Sequence, residues 1–137
     1  MSNPAFVWPC VAYRDAPAAI RFLTEAFGFV STLTVGGEGG APVEHAELLW
    51  PEGGGVMLGS ADRPDSELSQ MPTGAASVYV VTDQPDALYK RATEAGAEVV
   101  SELRDEDYGS RGFTVRDPEG NLWSFGTWRG EPLPAGG

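Results

Sequence analysis

The chain repeats itself, and that repeat constrains its fold more than any other feature. Asp15, Pro17 and Gly28 recur as Asp83, Pro85 and Gly96, each 68 residues further on. Pro51-Glu52-Gly53 recurs as Pro118-Glu119-Gly120, 67 residues on. The first trio punctuates a helix. Asp can accept hydrogen bonds from free N–H groups at a helix start, Pro is tolerated in the first turn, and Gly permits the left-handed residue that ends the helix. Between them, Ile20, Leu23 and Phe27 in the first half, and Leu88, Ala92 and Ala95 in the second, keep helical spacing. The second repeated segment is a turn between two strands. Strands are expected at 6–13, 29–35, 44–50 and 56–60, and again at 77–82, 98–103, 112–116 and 122–128. Each half therefore reads as a βαβββ module: 1–60, a linker at 61–74, 75–129, and a frayed tail at 130–137. Residues 36–42 read as a flexible hairpin.

Charge and composition narrow the function. A formal net charge of -11 over 137 residues disfavours nucleic acid and anionic membranes as partners. No apolar run approaches the roughly 20 residues of a membrane span. The N-terminal residues lack the basic and then apolar pattern of a signal peptide. Cys10 is the single cysteine, so there is no intrachain disulfide, and the cytoplasm is the simplest location. A Ser-His-Asp order and a dinucleotide fingerprint are missing, and Gly36–Gly40 has no following helix to aim N–H groups at phosphate.

A duplicated βαβββ unit with Asp117-Pro118-Glu119-Gly120-Asn121 in its last hairpin resembles the vicinal oxygen chelate superfamily. That group includes glyoxalase I, extradiol dioxygenases, fosfomycin-resistance enzymes and bleomycin-binding proteins. The resemblance runs from about residue 6 to 128 and is densest at 11–28, at Tyr108-Gly109-Ser110-Arg111-Gly112 and at 117–125. It implies an α+β fold, with two tandem modules forming a curled eight-stranded mixed sheet around a cleft and the helices outside. It also implies a homodimer with clefts at the interface. Its metal-ligand positions fall at Trp8, Met57, Ser77 (with Ala76 beside it) and Ser124. A divalent ion needs three or four converging His, Asp, Glu or Cys groups, so the expectation is no metal and no other cofactor.

Strand alternation sorts side chains between the two faces. Trp8, Cys10 and Ala12, then His45, Glu47 and Leu49, then Met57 and Gly59, share the cleft face of the first module. Ser77, Tyr79 and Val81, with Leu122, Ser124 and Gly126, do so in the second. Val7, Val11, Tyr13, Val78, Val80, Trp123 and Phe125 fall to the helix side. Trp50 reads as core or dimer contact, and Trp128 as either. Cys10, as a lone thiol on an apolar strand, reads as a small buried hydrophobe. His45 and Glu47 are either a solvated polar pair or ligand contacts. Arg111 would bind a ligand carboxylate or phenolate, or pair with Asp105, Glu106 and Asp107. Tyr108 would close over a ligand as a lid. These positions point to metal-independent binding of a small aromatic or peptide-like molecule, as in bleomycin-resistance proteins. The alternative is a lyase, isomerase or oxygenase of the same superfamily, with Glu47 or His45 as general base. A third possibility is an accessory protein that holds a pathway intermediate unchanged.

Overall fold

The computed structural model describes residues 7–135. The first module runs β1 (Cys10–Tyr13), α1 (Ala16–Phe22) continued by a π-helical turn (Leu23–Phe27), β2 (Val30–Gly36), β3 (Val43–Leu49) and β4 (Gly55–Ser60). The second runs β5 (Ser77–Val81), α2 (Pro85–Glu94), β6 (Glu98–Asp105), β7 (Arg111–Arg116) and β8 (Leu122–Gly126). They form two four-stranded mixed sheets, ordered β1-β4-β3-β2 and β5-β8-β7-β6. In each, only the first strand is parallel to its neighbour. The βαβββ order of both halves and the tandem duplication are as the repeat requires.

Three local expectations need correction. β1 starts at Cys10 rather than residue 6; residue 6 lies outside the described residues, and Val7 is exposed instead of packed on the helix side. β8 stops at Gly126, short of Trp128. Asp15 accepts from Ala18 N at 3.1 Å, as a cap should, but Asp83 does not cap α2. Gln84 is the N-cap residue. Thr82 Oγ1 takes the Gln84 N–H at 3.0 Å, and the Asp83 carboxylate turns outward to Arg129 Nη2 at 2.7 Å. The linker segment, 61–74, also has local structure of its own. It carries a 3₁₀ turn, Leu68–Gln70, whose Ser69 is buried.

The helix-side faces of both sheets meet in one core. Val11, Tyr13, Leu48, Val56 and Leu58 from the first sheet, and Phe113, Val115, Trp123 and Phe125 from the second, are buried in the alternation that period two dictates. Trp50 is core. Aromatic rings carry the junction between modules: Phe27 lies 5.6 Å from Trp123 and 4.7 Å from Phe125, and Trp50 lies 5.8 Å from Phe125. Such pairs add roughly 0.5–1.5 kcal/mol each beyond their buried area.

The repeated Pro-Glu-Gly turns lock the halves reciprocally. Glu119, in the β7–β8 style turn of the second module, accepts the N–H groups of Arg14 and Asp15 at 2.8 Å each, where α1 begins. Glu52, its counterpart, accepts Asp83 N and Thr82 Oγ1 at 2.7 Å each, where α2 begins. Beside one of these turns, the buried Asp117 carboxylate receives Tyr13 O–H at 2.6 Å, Asn121 Nδ2 at 3.0 Å and Trp123 Nε1 at 3.1 Å. Among the described residues no helix is long and apolar enough to cross a membrane.

Removing either clamp should loosen the module junction. Glu119→Ala and Glu52→Ala should each cost about 1–3 kcal/mol in urea unfolding, the range for charged hydrogen bonds; a loss below a few tenths would show that the clamps are ornamental. A second expectation concerns Tyr13. Burial first, then the Asp117 charge, pushes its phenol far above the usual tyrosine range. In the unfolded chain it ionises near ~10. Its contribution is therefore complete below about pH 10 and is lost as pH rises beyond that. Stability measured from about pH 9 to 11.5 should fall more steeply for the natural chain than for Tyr13→Phe; parallel profiles would contradict the assignment.

Candidate functional site

The faces turned away from the core stay half open, and the register aligns their side chains in rows. In the first sheet Cys10, Met57, Glu47 and Leu33 stand side by side across β1, β4, β3 and β2. In the second, Tyr79, Ser124, Thr114 and Ser101 occupy the equivalent row across β5, β8, β7 and β6. The first row is apolar apart from one carboxylate, and the second is a ladder of hydroxyls.

Trp8 lies over the first sheet. A Cβ on Gly55 would sit 2.6 Å from the Trp8 ring and 2.8 Å from Leu48 O, so only glycine lets the indole lie this close. Leu33 and Val35, both more than 40% exposed, extend the apolar surface, with Leu49 half-buried behind them. His45 Nε2 is 2.7 Å from Glu47 Oε2, a contact their shared face allows. Cys10 corrects its own expectation: it is exposed on this face, with its thiol 3.6 Å from Trp8 O.

The second sheet carries a recess of about 280 Å³, bordered by Tyr79, Ser101, Tyr108, Ser110, Thr114 and Ser124. The Tyr79 hydroxyl donates to Trp128 O at 2.6 Å, and the Thr114 and Ser124 hydroxyls are 2.8 Å apart. Tyr108 meets Trp128 edge-on at 5.9 Å and overhangs the recess. Ser77 is exposed and registers with Leu122 one row away. Arg111 is occupied elsewhere. It grips Asp86 on α2 in bidentate fashion, at 2.9 and 3.0 Å, and Asp105 on β6 at 3.1 Å. Of its three expected partners, Glu106 goes to Arg104 instead, and Asp107 forms no ion pair with it. Asp86 lies 25 residues away in sequence, beyond any local signal.

Sequence reasoning misses four residues on these faces. Leu33 and Ser101 lie on β2 and β6, where bulges break the simple alternation, and Thr114 lies on β7, whose faces the sequence reading did not sort. Arg63 is hidden in the segment read as a linker. A separate groove of about 210 Å³ lies on the helix side, between the π turn and α2, over Phe27, Trp50 and Leu88.

Among the described residues no three His, Cys, Asp or Glu side chains converge. The four positions where a metal would be expected present an indole, a thioether and two hydroxyls, one of which already bonds Thr114. That donor set does not fit a divalent ion.

Comparison with known proteins agrees with this architecture. The model of the Glyoxalase/Bleomycin resistance protein/Dioxygenase superfamily matches residues 5–125, and the chain belongs to that superfamily. It is 36% identical over 124 residues to the uncharacterized protein Rv0887c of Mycobacterium tuberculosis, covering 86% of this chain and 71% of that one. Among solved structures, TioX from Micromonospora sp. ML1 superposes with a TM-score of 0.77 at 32% identity, covering 90% of this chain and 98% of TioX. A glyoxalase/bleomycin resistance protein/dioxygenase from Nocardioides gives 0.68 at 23% identity over 98% of this chain and 91% of its own, a likeness of fold.

The Trp8–Gly55 contact makes a direct prediction. Gly55→Ala must displace the indole and push on the Leu48 carbonyl, so it should cost about 1–3 kcal/mol and shift Trp emission to the red. An unchanged spectrum and unchanged stability would show that Trp8 does not rest there.

Proposed function

We propose that the protein binds a small, planar, aromatic or peptide-like molecule without a metal ion and without transforming it, in cups completed by a second copy of the chain. The observation that carries this is the open pair of faces: an apolar surface under Trp8 on one sheet and a hydroxyl-lined recess on the other, both half-exposed in a single chain. Exposed apolar surface of this kind marks binding sites. The recess over the second sheet is bordered by second-module residues alone, which leaves its open side for a partner's module. The absence of a fitting donor set at the metal positions supports a role other than metal-assisted catalysis. We place the protein in the cytoplasm, where the exposed Cys10 thiol stays reduced.

Titration of Trp fluorescence with planar aromatic and peptide natural products, bleomycin among them, should give saturable quenching that Trp8→Ala diminishes. No saturable quenching by any member would end the proposal. Light scattering should report twice the 14.5 kDa chain mass.

One observation favours an enzyme instead: the 2.7 Å His45–Glu47 contact, a base with an orienting carboxylate. Ligand recovered chemically unchanged after long incubation supports binding. Turnover abolished by Glu47→Gln would establish catalysis.

A further inference from the structure

Arg63 reaches back onto the open face of the first sheet, with Nη2 so close that a Cβ on Gly59 would sit 3.0 Å away. Gly59 registers with Ala12 on β1, and continuing the β3–β4 ladder by one residue places it opposite His45. The guanidinium is thus one row from Met57, Glu47 and Leu33.

The segment behind it is built to hold it there. Arg63 Nε donates to Ser60 O at 2.9 Å, and Nη2 to Ser66 Oγ at 3.3 Å. The backbone around Arg63 is tied to buried Ser69: Arg63 N donates to Ser69 Oγ at 2.9 Å, and that hydroxyl donates back to Arg63 O at 2.8 Å. Asp62, just before it, adopts φ +62°, the one left-handed non-glycine among the described residues. An L residue is strained in that conformation, which persists where the surroundings over-determine it.

Arg14, Arg104, Arg111, Arg116 and Arg129 pair with carboxylates, whereas Arg21 and Arg91, on the helices, do not among the described residues. Arg63 pairs with none among the described residues, although Glu38, Glu44 and Asp65 line the same recess. Those acids repel small free anions. An anion attached to an apolar body is not excluded in the same way, because burial of the body on the Trp8 side supplies the binding energy while the guanidinium fixes the charged end. Glu47, one row away, is engaged by His45 Nε2 at 2.7 Å.

We infer that the first sheet takes an organic anion: a planar apolar molecule whose carboxylate, or an equivalent single negative group, meets Arg63. This rests on the binding role proposed above and assigns it a ligand class.

The test compares 2-naphthoate with its neutral counterpart 2-naphthamide by calorimetry, on the natural chain, Arg63→Gln and Arg63→Lys. The natural chain should hold naphthoate about tenfold more tightly than naphthamide, the scale of one charged hydrogen-bonded contact. Arg63→Gln should erase that preference, and Arg63→Lys should keep part of it. Equal binding of the two probes by the natural chain, or a preference that survives Arg63→Gln, overturns the inference while leaving the binding role intact. Failure of both probes to bind overturns the binding role and this inference together. Should Arg63→Gln melt early, the probe preference of the natural chain and of Arg63→Lys, and its loss with added salt, decide the matter.

Discussion

Each half of this molecule hands a hairpin glutamate to the other. Glu119 satisfies the N–H groups that lead into α1, and Glu52 does the same for α2. Free N–H groups at a helix start want an acceptor, and a carboxylate also suits the positive end of the helix dipole. Because the acceptors come from the opposite module, neither helix start is complete until the halves dock. The aromatic rings of Phe27, Phe29, Trp50, Trp123 and Phe125 then close over one another, and Asp117 fixes Trp123 and Tyr13 together. The two helix faces are used up by this docking. The opposite faces are left partly exposed, and on the proposed function they serve the ligand.

This explains why the repeat in the sequence is strongest at its turns. Pro-Glu-Gly recurs because the glutamate does the same work twice, at symmetry-related places. Where the two halves differ, the difference has a visible partner. Trp50 stands where Asp117 stands in the other half, and its indole N–H reaches Val81 O, just as Asp117 reaches Tyr13. Asp83 does not cap its helix: Glu52 and Thr82 take the N–H groups that lead into α2, and the Asp83 carboxylate pairs with Arg129.

Strand order, the helix positions and the burial of Trp123 and Phe125 were legible because period and punctuation act locally. The assignment of Met57, Glu47, Tyr79 and Ser124 to one kind of face followed from the same alternation. What depends on distant contacts was not legible. Arg111 is drawn to Asp86 by the docking of α2 against β7, which no spacing encodes. Arg63 sits in a stretch rich in Pro and Ser that reads as a linker, and only the folded chain shows its backbone tied to the Ser69 hydroxyl. Cys10 was misread as buried because it stands on the open face of its strand, where it is exposed.

The two open faces are chemically unequal, and that asymmetry matters more than their shared fold. An apolar surface with a held guanidinium on one side, and a row of hydroxyls on the other, suits a flat molecule with one charged end and a polar edge. The direct test is where such a molecule binds. With an added aromatic carboxylate, ¹⁵N-labelled protein should show the Trp8 indole signal moving together with the backbone amides of Arg63 and Glu47, while the Trp50 and Trp123 indoles stay put. Shifts confined instead to Trp50, Leu88 and Arg91 would place the ligand in the helix-side groove and contradict the account.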